Sequence, residues 1–310
     1  MSRLPTLTEV RGGGKRALAG ALAAIEAQAG TDAIAELLDE ACAAPRAHVL
    51  GVTGPPGVGK STLVNALIAR LRGRGETVGV IAVDPSSRRS GGALLADRAR
   101  VATDPADRGV YMRSMAARDR LGGLSEQTIG AMVLMRAVYD RVLVESVGIG
   151  QSESDISFVS DTLLLCVQPG SGDALQFMKA GVMELPDIVA VNKSDLGEAA
   201  RRARADVEGA LRLISGSAEF PAPVVLVSAA QNFGLDELEA AVARHRDWLG
   251  QSGRLARRRE LQESAWVEET IRTRFGSMGL AAARKLSPGA GGPFAKERFI
   301  AWELARRLGL

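Results

Sequence analysis

Cysteine and histidine are nearly missing from this chain, with two of each in 310 residues. Cys42 and Cys166 stand alone in apolar stretches. They read as reduced core residues of a cytoplasmic protein, not as a disulfide or metal site. His48 and His245 come with no C-x-x-C or C-x-C-C, which leaves little from which to build a nickel or zinc centre. Aromatic residues make up 4%, too few for base-stacking platforms. The formal net charge of +3 is too small to argue for nucleic acid. No apolar run is long enough to span a membrane, and the N-terminus has no hydrophobic signal core. Lysine is scarce too: Lys15, Lys60, Lys179, Lys193, Lys285 and Lys296. Apolar residues at 46% and charged residues at 24% give a globular balance. The length suits one large α/β domain with extensions, or two domains.

The most specific segment is Gly54-Pro55-Pro56-Gly57-Val58-Gly59-Lys60-Ser61-Thr62, which fits G-x-x-x-x-G-K-[ST]. Glycines let the backbone curl until successive N–H groups face an anion. Lys60 then reaches the β- and γ-phosphates of a nucleotide, and the Ser61 hydroxyl is a ligand for Mg²⁺. The flanks agree. His48-Val49-Leu50-Gly51-Val52 reads as a buried strand, and Leu63, Val64, Leu67, Ile68 and Leu71 follow at helical spacing.

Three regions follow from the pattern. Residues 1–45 are a helical extension. Leu18, Leu22 and Ile25 mark one face, Ile34, Leu37 and Leu38 a second, and Thr31 or Asp32 is the expected cap. Residues 46–250 alternate strands and helices, with strands expected at 48–52, 77–83, 110–113, 141–145, 161–167, 187–191 and 224–228. Continuous apolar strands between helices predict an α/β fold with a mostly parallel sheet covered by helices. Residues 251–310 are helical again, broken by the Gly/Pro-rich stretch 287–293. The cluster Arg254, Arg257, Arg258 and Arg259 reads as a solvated helix face, given the glutamates around it.

Chemistry beyond the P-loop gathers at strand ends. Asn192-Lys193-Ser194-Asp195 follows an apolar strand and has the N-K-x-D form of a guanine reader. A carboxylate at Asp195 accepts two hydrogen bonds from N1–H and the exocyclic amine of guanine, a donor pair adenine lacks. Asn192 fixes the loop and the Lys193 stem packs on the ring. Ser228-Ala229-Ala230 ends the next strand, where its backbone can meet the guanine carbonyl. Glu145 closes another strand, the usual place of a carboxylate that aids Mg²⁺ binding, and Gly148 lets a loop N–H approach the γ-phosphate. Asp84 sits before Pro85 at the end of strand 77–83 and reads as a second acidic residue near Mg²⁺. Asp97 is either a further metal residue or an exposed helix acid. The loop 112–123 joins Arg113 and Arg118 to hinges at Gly122 and Gly123, and either arginine can offset transition-state charge. Ile149, not Gln, follows Gly148, and Gln151 comes three residues after the glycine. Slow intrinsic hydrolysis, stimulated by a partner, is therefore expected.

These segments resemble one family as a set. The P-loop at 54–62, Ala-Val-Asp-Pro-Ser-Ser at 82–87, Ser-Gly-Gly-Ala-Leu-Leu-Ala-Asp at 90–97 and Met-Arg-Ser-Met-Ala-Ala-Arg at 112–118 belong to it. So do Val-Glu-Ser-Val-Gly-Ile-Gly-Gln-Ser-Glu at 144–153, Gln-Pro-Gly-Ser-Gly-Asp at 168–173 and Val-Asn-Lys-Ser-Asp at 191–195. The chain resembles the MeaB/ArgK-type P-loop GTPases, chaperones of adenosylcobalamin-dependent acyl-CoA mutases such as methylmalonyl-CoA mutase. The resemblance implies that GTP binding and hydrolysis gate cofactor loading, protection or replacement on the mutase. It implies catalytic roles for Lys60, Asp97, Glu145 and Gly148, and a metal set of Ser61, Asp84, Asp97 and Glu145. It implies a mobile loop from Gln168 to about Lys179, with Asp173 and Lys179 as signalling residues. It also implies a homodimer with a C-terminal dimerisation arm. Three rivals are a nickel-insertion GTPase of the hydrogenase or urease maturation type, a P-loop kinase of a transport protein, and a non-enzymatic switch that merely binds GTP.

Overall fold

The computed structural model describes residues 3–84, 104, 106–116, 124–146, 156–170, 186–214 and 219–309. Seven strands form one sheet: β1 His48–Thr53, β2 Val78–Asp84, β3 Val110–Ala116, β4 Arg141–Glu145, β5 Thr162–Val167, β6 Ile188–Val191 and β7 Val224–Leu226. The described helices are α1 Leu7–Gly12, α2 Gly14–Ala27, α3 Asp32–Ala43, α4 Lys60–Gly73, α5 Glu126–Val138, α6 Glu198–Ile214, α7 Leu235–Gly250, α8 Arg254–Ala283 and α9 Pro293–Leu308. The chain divides into two compact units. One holds Met1–Ala47, Glu126–Tyr139 and Ala256–Leu310; the other holds His48–Ser125 and Asp140–Leu255.

In the sheet unit every pairing is parallel, and the order is β3-β2-β4-β1-β5-β6-β7. This is the α/β architecture expected from the apolar runs. The strands β1, β5 and β6 are buried along their whole length, because helices cover both faces. On one face Leu63, Val64 and Leu67 of α4 and Leu235 and Leu238 of α7 share a core with Val52, Leu143 and Leu164. On the other, Val207, Ala210 and Leu211 of α6 meet Leu165, Val189 and Val191. β1 lies between β4 and β5. Its carboxyl end therefore opens at the middle of the sheet, where such folds bind ligands.

Two expectations change here. The strand expected to end at residue 113 continues as β3 to Ala116, because β2 runs on to Asp84 and keeps pairing with it. Arg113 is thus a half-buried strand residue rather than part of a loop. Helix α5 lies inside the region 46–250 in sequence, yet it packs with the terminal helices. It is apolar almost all round, as a helix enclosed by others must be.

The helical unit is built on that helix. A Cβ on Gly130 of α5 would stand 3.2 Å from Ile25 of α2 and 3.3 Å from Leu38 of α3, so the missing side chain lets all three helices close up. Thr31 does occupy the N-cap position of α3, but its hydroxyl donates to the Gln28 carbonyl and caps nothing. Helix α9 is capped from a distance: the N–H groups of Phe294 and Ala295 both donate to the Asp39 carboxylate at 3.0 Å. Pro293 starts that helix, and Ile300 and Leu304 pack against Ile271 and Leu280 of α8. Within the arginine cluster, Arg259 is half-buried and donates to the Ala47 carbonyl at 3.1 Å, so it is more than a solvated charge. No helix among the described residues is long and apolar enough to cross a membrane.

Candidate functional site

β1 ends at Thr53 and the chain turns at once. Gly54 has φ 138, and a Cβ there would lie 2.1 Å from the Cys166 carbonyl oxygen on β5. Gly59 has φ 93, and a Cβ there would lie 2.5 Å from Nδ2 of Asn192. Both positions need glycine twice over, for their left-handed backbone and for a neighbour that cannot retreat. Helix α4 begins immediately after, at Lys60, with its positive end at the loop.

Lys60 is 7% exposed, and its ammonium donates to the carbonyls of Gly54 at 2.7 Å and Pro55 at 3.1 Å. The Ser61 hydroxyl donates to Oε1 of Glu145 at 2.7 Å. Glu145 pairs in register with Val52, so β4 delivers its carboxylate to the mouth of the loop. Beneath them the hydroxyls of Thr53 and Ser146 are 2.8 Å apart and buried. Burial pushes the Cys166 thiol up to about 12, against the opposing influence of Lys60, so this cysteine is an inert neutral spacer below the loop. Cys42 in the helical unit is likewise pushed up to about 12 by burial.

The N-K-x-D segment is tied to the P-loop by side chains. Asn192, 3% exposed, donates from Nδ2 to the Val58 carbonyl at 2.8 Å and accepts from the Ala229 N–H at 3.1 Å. Lys193 has φ 58, and its ammonium donates to the Gly57 carbonyl at 2.9 Å and to Oε1 of Gln168 at 2.5 Å. Asp195 accepts from the Ser228 hydroxyl at 2.6 Å. Gly54 to Thr62, Glu145, Asn192, Lys193, Asp195 and Ser228 to Ala230 therefore converge at the carboxyl ends of β1, β4, β6 and β7. Asp84 ends β2, beside β4, two residues beyond the level at which Ala82 pairs with Glu145.

Arg113 stands apart. It pairs with Ile81, on a level with Gly51, and its backbone lies three strands from β1 or roughly 14 Å to the side. Asp97, Arg118, Gly122, Gly123, Gly148, Asp173 and Lys179 lie outside the described residues, as does Gln151. Sequence reading gave no role to Thr53 or Ser146, and it placed Gln168 at the start of a loop without its partner. Gln168 holds Lys193, and Thr53 and Ser146 lock β1 to β4. The signal was available for each, since all three end or directly follow an apolar strand at the ligand-binding edge.

A P-loop whose carbonyls are held by the side chains of an N-K-x-D segment is the arrangement of a P-loop GTPase. The family model described as methylmalonyl Co-A mutase-associated GTPase MeaB matches residues 18–283, and the chain belongs to that family. It is 44% identical over 231 residues to a putative GTPase of Pyrococcus abyssi, spanning 73% of this chain and 70% of that one. It is 40% identical over 276 residues to a probable GTPase of Mycobacterium bovis, spanning 86% and 81%. The mouse methylmalonic aciduria type A homolog, mitochondrial, is 36% identical over 231 residues, which cover 73% of this chain and 56% of that protein. Among solved structures, that of an LAO/AO transport system kinase superposes with a TM-score of 0.68 at 28% identity, covering 98% of this chain and 96% of that one. Guanine nucleotide binding and GTP hydrolysis follow from membership.

Proposed function

We propose that this GTPase is a chaperone of an adenosylcobalamin-dependent acyl-CoA mutase, in which the state of the nucleotide gates cofactor loading, protection or reactivation. The observation that carries the reading is the match of residues 18–283 to a family described by its association with methylmalonyl-CoA mutase. The mouse relative, named for methylmalonic aciduria, supports the same reading.

In this reading GTP lies along the carboxyl edge of the sheet. The P-loop N–H groups and Lys60 bind its β- and γ-phosphates, and Asp195 pairs with guanine while Asn192 and Lys193 hold the base loop to the phosphate loop. The backbone of Ser228, Ala229 and Ala230 faces the guanine carbonyl. Ser61 and Glu145 supply hard oxygen donors only 2.7 Å apart, a pair that suits Mg²⁺, with Asp84 at the neighbouring strand end and Asp97 completing the acidic set. When bound, Mg²⁺ would offset charge on the β- and γ-phosphates. Water attacks the γ-phosphorus, the bond to the bridging oxygen breaks, and GDP and phosphate result. Lys60 follows the charge onto the leaving oxygen, and the Gly148 N–H meets the γ-phosphate. Without a glutamine next to Gly148, intrinsic turnover is slow and the partner stimulates it. Arg118, Gly122 and Gly123, with Arg113 within β3 before them, and the segment of Asp173 and Lys179, pass the nucleotide state to the partner.

The dimer belongs to the same reading. On α9, Phe299 and Trp302 are exposed, Trp302 at 63%, and they offer an apolar surface for a second copy. The decisive experiment mixes the purified chain with a methylmalonyl-CoA-type mutase and follows GTP turnover and adenosylcobalamin transfer. Stimulated hydrolysis and nucleotide-dependent transfer are expected; an unchanged rate with every mutase of this class refutes the chaperone role. A second reading, phosphorylation of a transport protein, has in its favour the likeness to the LAO/AO transport system kinase structure. Label moving from the γ-phosphate of GTP onto protein would establish it. The nickel-insertion reading has less support, since the sequence offers only His48 and His245 and no C-x-x-C or C-x-C-C as ligands.

A further inference from the structure

We propose that the amino-terminal edge of the GTPase sheet carries a second ligand site, built for a small amphipathic carboxylate with an apolar body and one anionic group. A cavity of about 370 Å³ opens there, within the size range of small-molecule sites. Its floor is apolar: Leu50 of β1, Leu143 of β4, Leu67 and Leu71 of α4, and Val242 of α7. Its rim is charged and unbalanced, with Arg74, Arg141 and Arg246 against Glu76 and Glu239.

The two carboxylates are already shared. Glu76 pairs with Arg74 at 3.0 Å and with Arg141 at 2.8 Å. Glu239 pairs with Arg74 at 2.9 Å and with Arg70 at 2.7 Å. Arg246 reaches the exposed Asp247 at 3.5 Å, the outer limit of a hydrogen bond. Every rim guanidinium thus has a carboxylate partner, but the Arg246–Asp247 pair is the longest and most exposed of them, so Arg246 is the one that a ligand carboxylate can most readily take over. Burial above all holds the Arg141 guanidinium below its ordinary pKa, with Arg246 and Arg74 adding to the fall and Glu76 and Asp140 opposing it. His48 lines the same cavity, and its buried Nδ1 has no hydrogen-bond partner among the described residues. The site is not part of the nucleotide machinery: its floor reaches β1 at Leu50, four residues or roughly 13 Å before the P-loop begins at Gly54.

The test uses the full chain saturated with GDP and octanoate as the probe, read by methyl NMR of Leu67, Leu71, Leu143 and Val242. Saturable shifts confined to these methyls are expected. Arg141→Gln combined with Arg246→Gln should weaken octanoate about tenfold or more, with GDP affinity unchanged. Should that variant lose GDP binding through a loosened fold, Ala240→Phe, which fills the cavity from α7, should abolish the shifts instead. Octylammonium, with the same tail and the opposite charge, should bind at least about tenfold more weakly. No saturable shift with octanoate, equal binding of octylammonium, or full binding by both variants overturns the proposal.

Discussion

Acid should unfold this protein through His48. The side chain is buried at the foot of β1, where Nε2 meets the Thr162 hydroxyl at 2.8 Å. Thr162 in turn meets Nδ1 of His245 at 2.8 Å. Burial is the main reason that the His48 pKa falls from 6.5 to about 4. Asp161, 3.8 Å away, opposes the fall, and Arg141, His245 and Arg246 add to it. Between those two values the unfolded chain binds a proton that the folded chain does not. Stability therefore rises with pH across that window, is fully present above about pH 6.5, and is lost as pH falls toward 4. With a pKa of 6.5 unfolded and about 4 folded, the loss from this group at pH 5 is about 2 kcal/mol, approaching about 3 kcal/mol at pH 4 and below.

The assay is urea denaturation of wild type and His48→Leu from pH 8 to pH 5. Leucine removes the titration, while Thr162 keeps His245 as a partner. The variant will be less stable at pH 8, since a buried hydrogen bond is gone. The informative quantity is the difference between the two curves, which should shrink by about 2 kcal/mol on going to pH 5. Groups remote from His48 titrate equally in both proteins and cancel. A difference that stays flat across this range would show that His48 is not held neutral by the fold, and the argument from burial would fail.

Other perturbations test the site and the helical unit. Gly54→Ala forces a side chain onto the Cys166 carbonyl and into a left-handed backbone, so GDP affinity should fall at least about a hundredfold; calorimetry with an intact GTP site in this variant would contradict the loop geometry. Asp195→Asn should lose GTP affinity by about a hundredfold or more and gain xanthosine triphosphate binding, and unchanged base preference in a competition assay would remove Asp195 from base reading. Gln168→Ala should weaken GDP by about fivefold through loss of the contact to Lys193, measured by fluorescent-nucleotide titration. Asp39→Ala should cost about 1 kcal/mol of stability by uncapping α9, and an unchanged melting temperature would mean that the remote cap contributes nothing.

The sheet was legible because buried parallel strands announce themselves as unbroken apolar runs, and all seven appear where the runs lie. The phosphate loop was legible because Gly54, Gly57 and Gly59 all take a positive φ, and Gly54 and Gly59 meet close contacts as well. The pairing of β3 beyond residue 113 was not, since Arg113 and Ser114 interrupt its apolar run and its length is set by the partner strand. The allegiance of α5 was hidden for a similar reason: an enclosed helix shows an apolar surface without naming its neighbours. Asp39 as the cap of α9 joins residues more than 250 positions apart, and no local pattern encodes such a contact. Asn192 was read as a base-loop residue, but its grip on Val58 becomes visible only when β1 and β6 are set on either side of β5.

That grip has a thermodynamic consequence. One amide side chain holds a phosphate-loop carbonyl with its nitrogen and the Ala229 N–H with its oxygen, so neither half of the nucleotide pocket can shift alone. Whatever the phosphates do for the affinity of the base, the base must do for the phosphates, by the same factor. Guanosine and pyrophosphate offered as separate pieces should each bind better in the other's presence. Discrimination between bases then acts as a setting on how firmly the phosphate end is clasped, and the wrong base is rejected at both ends of the molecule.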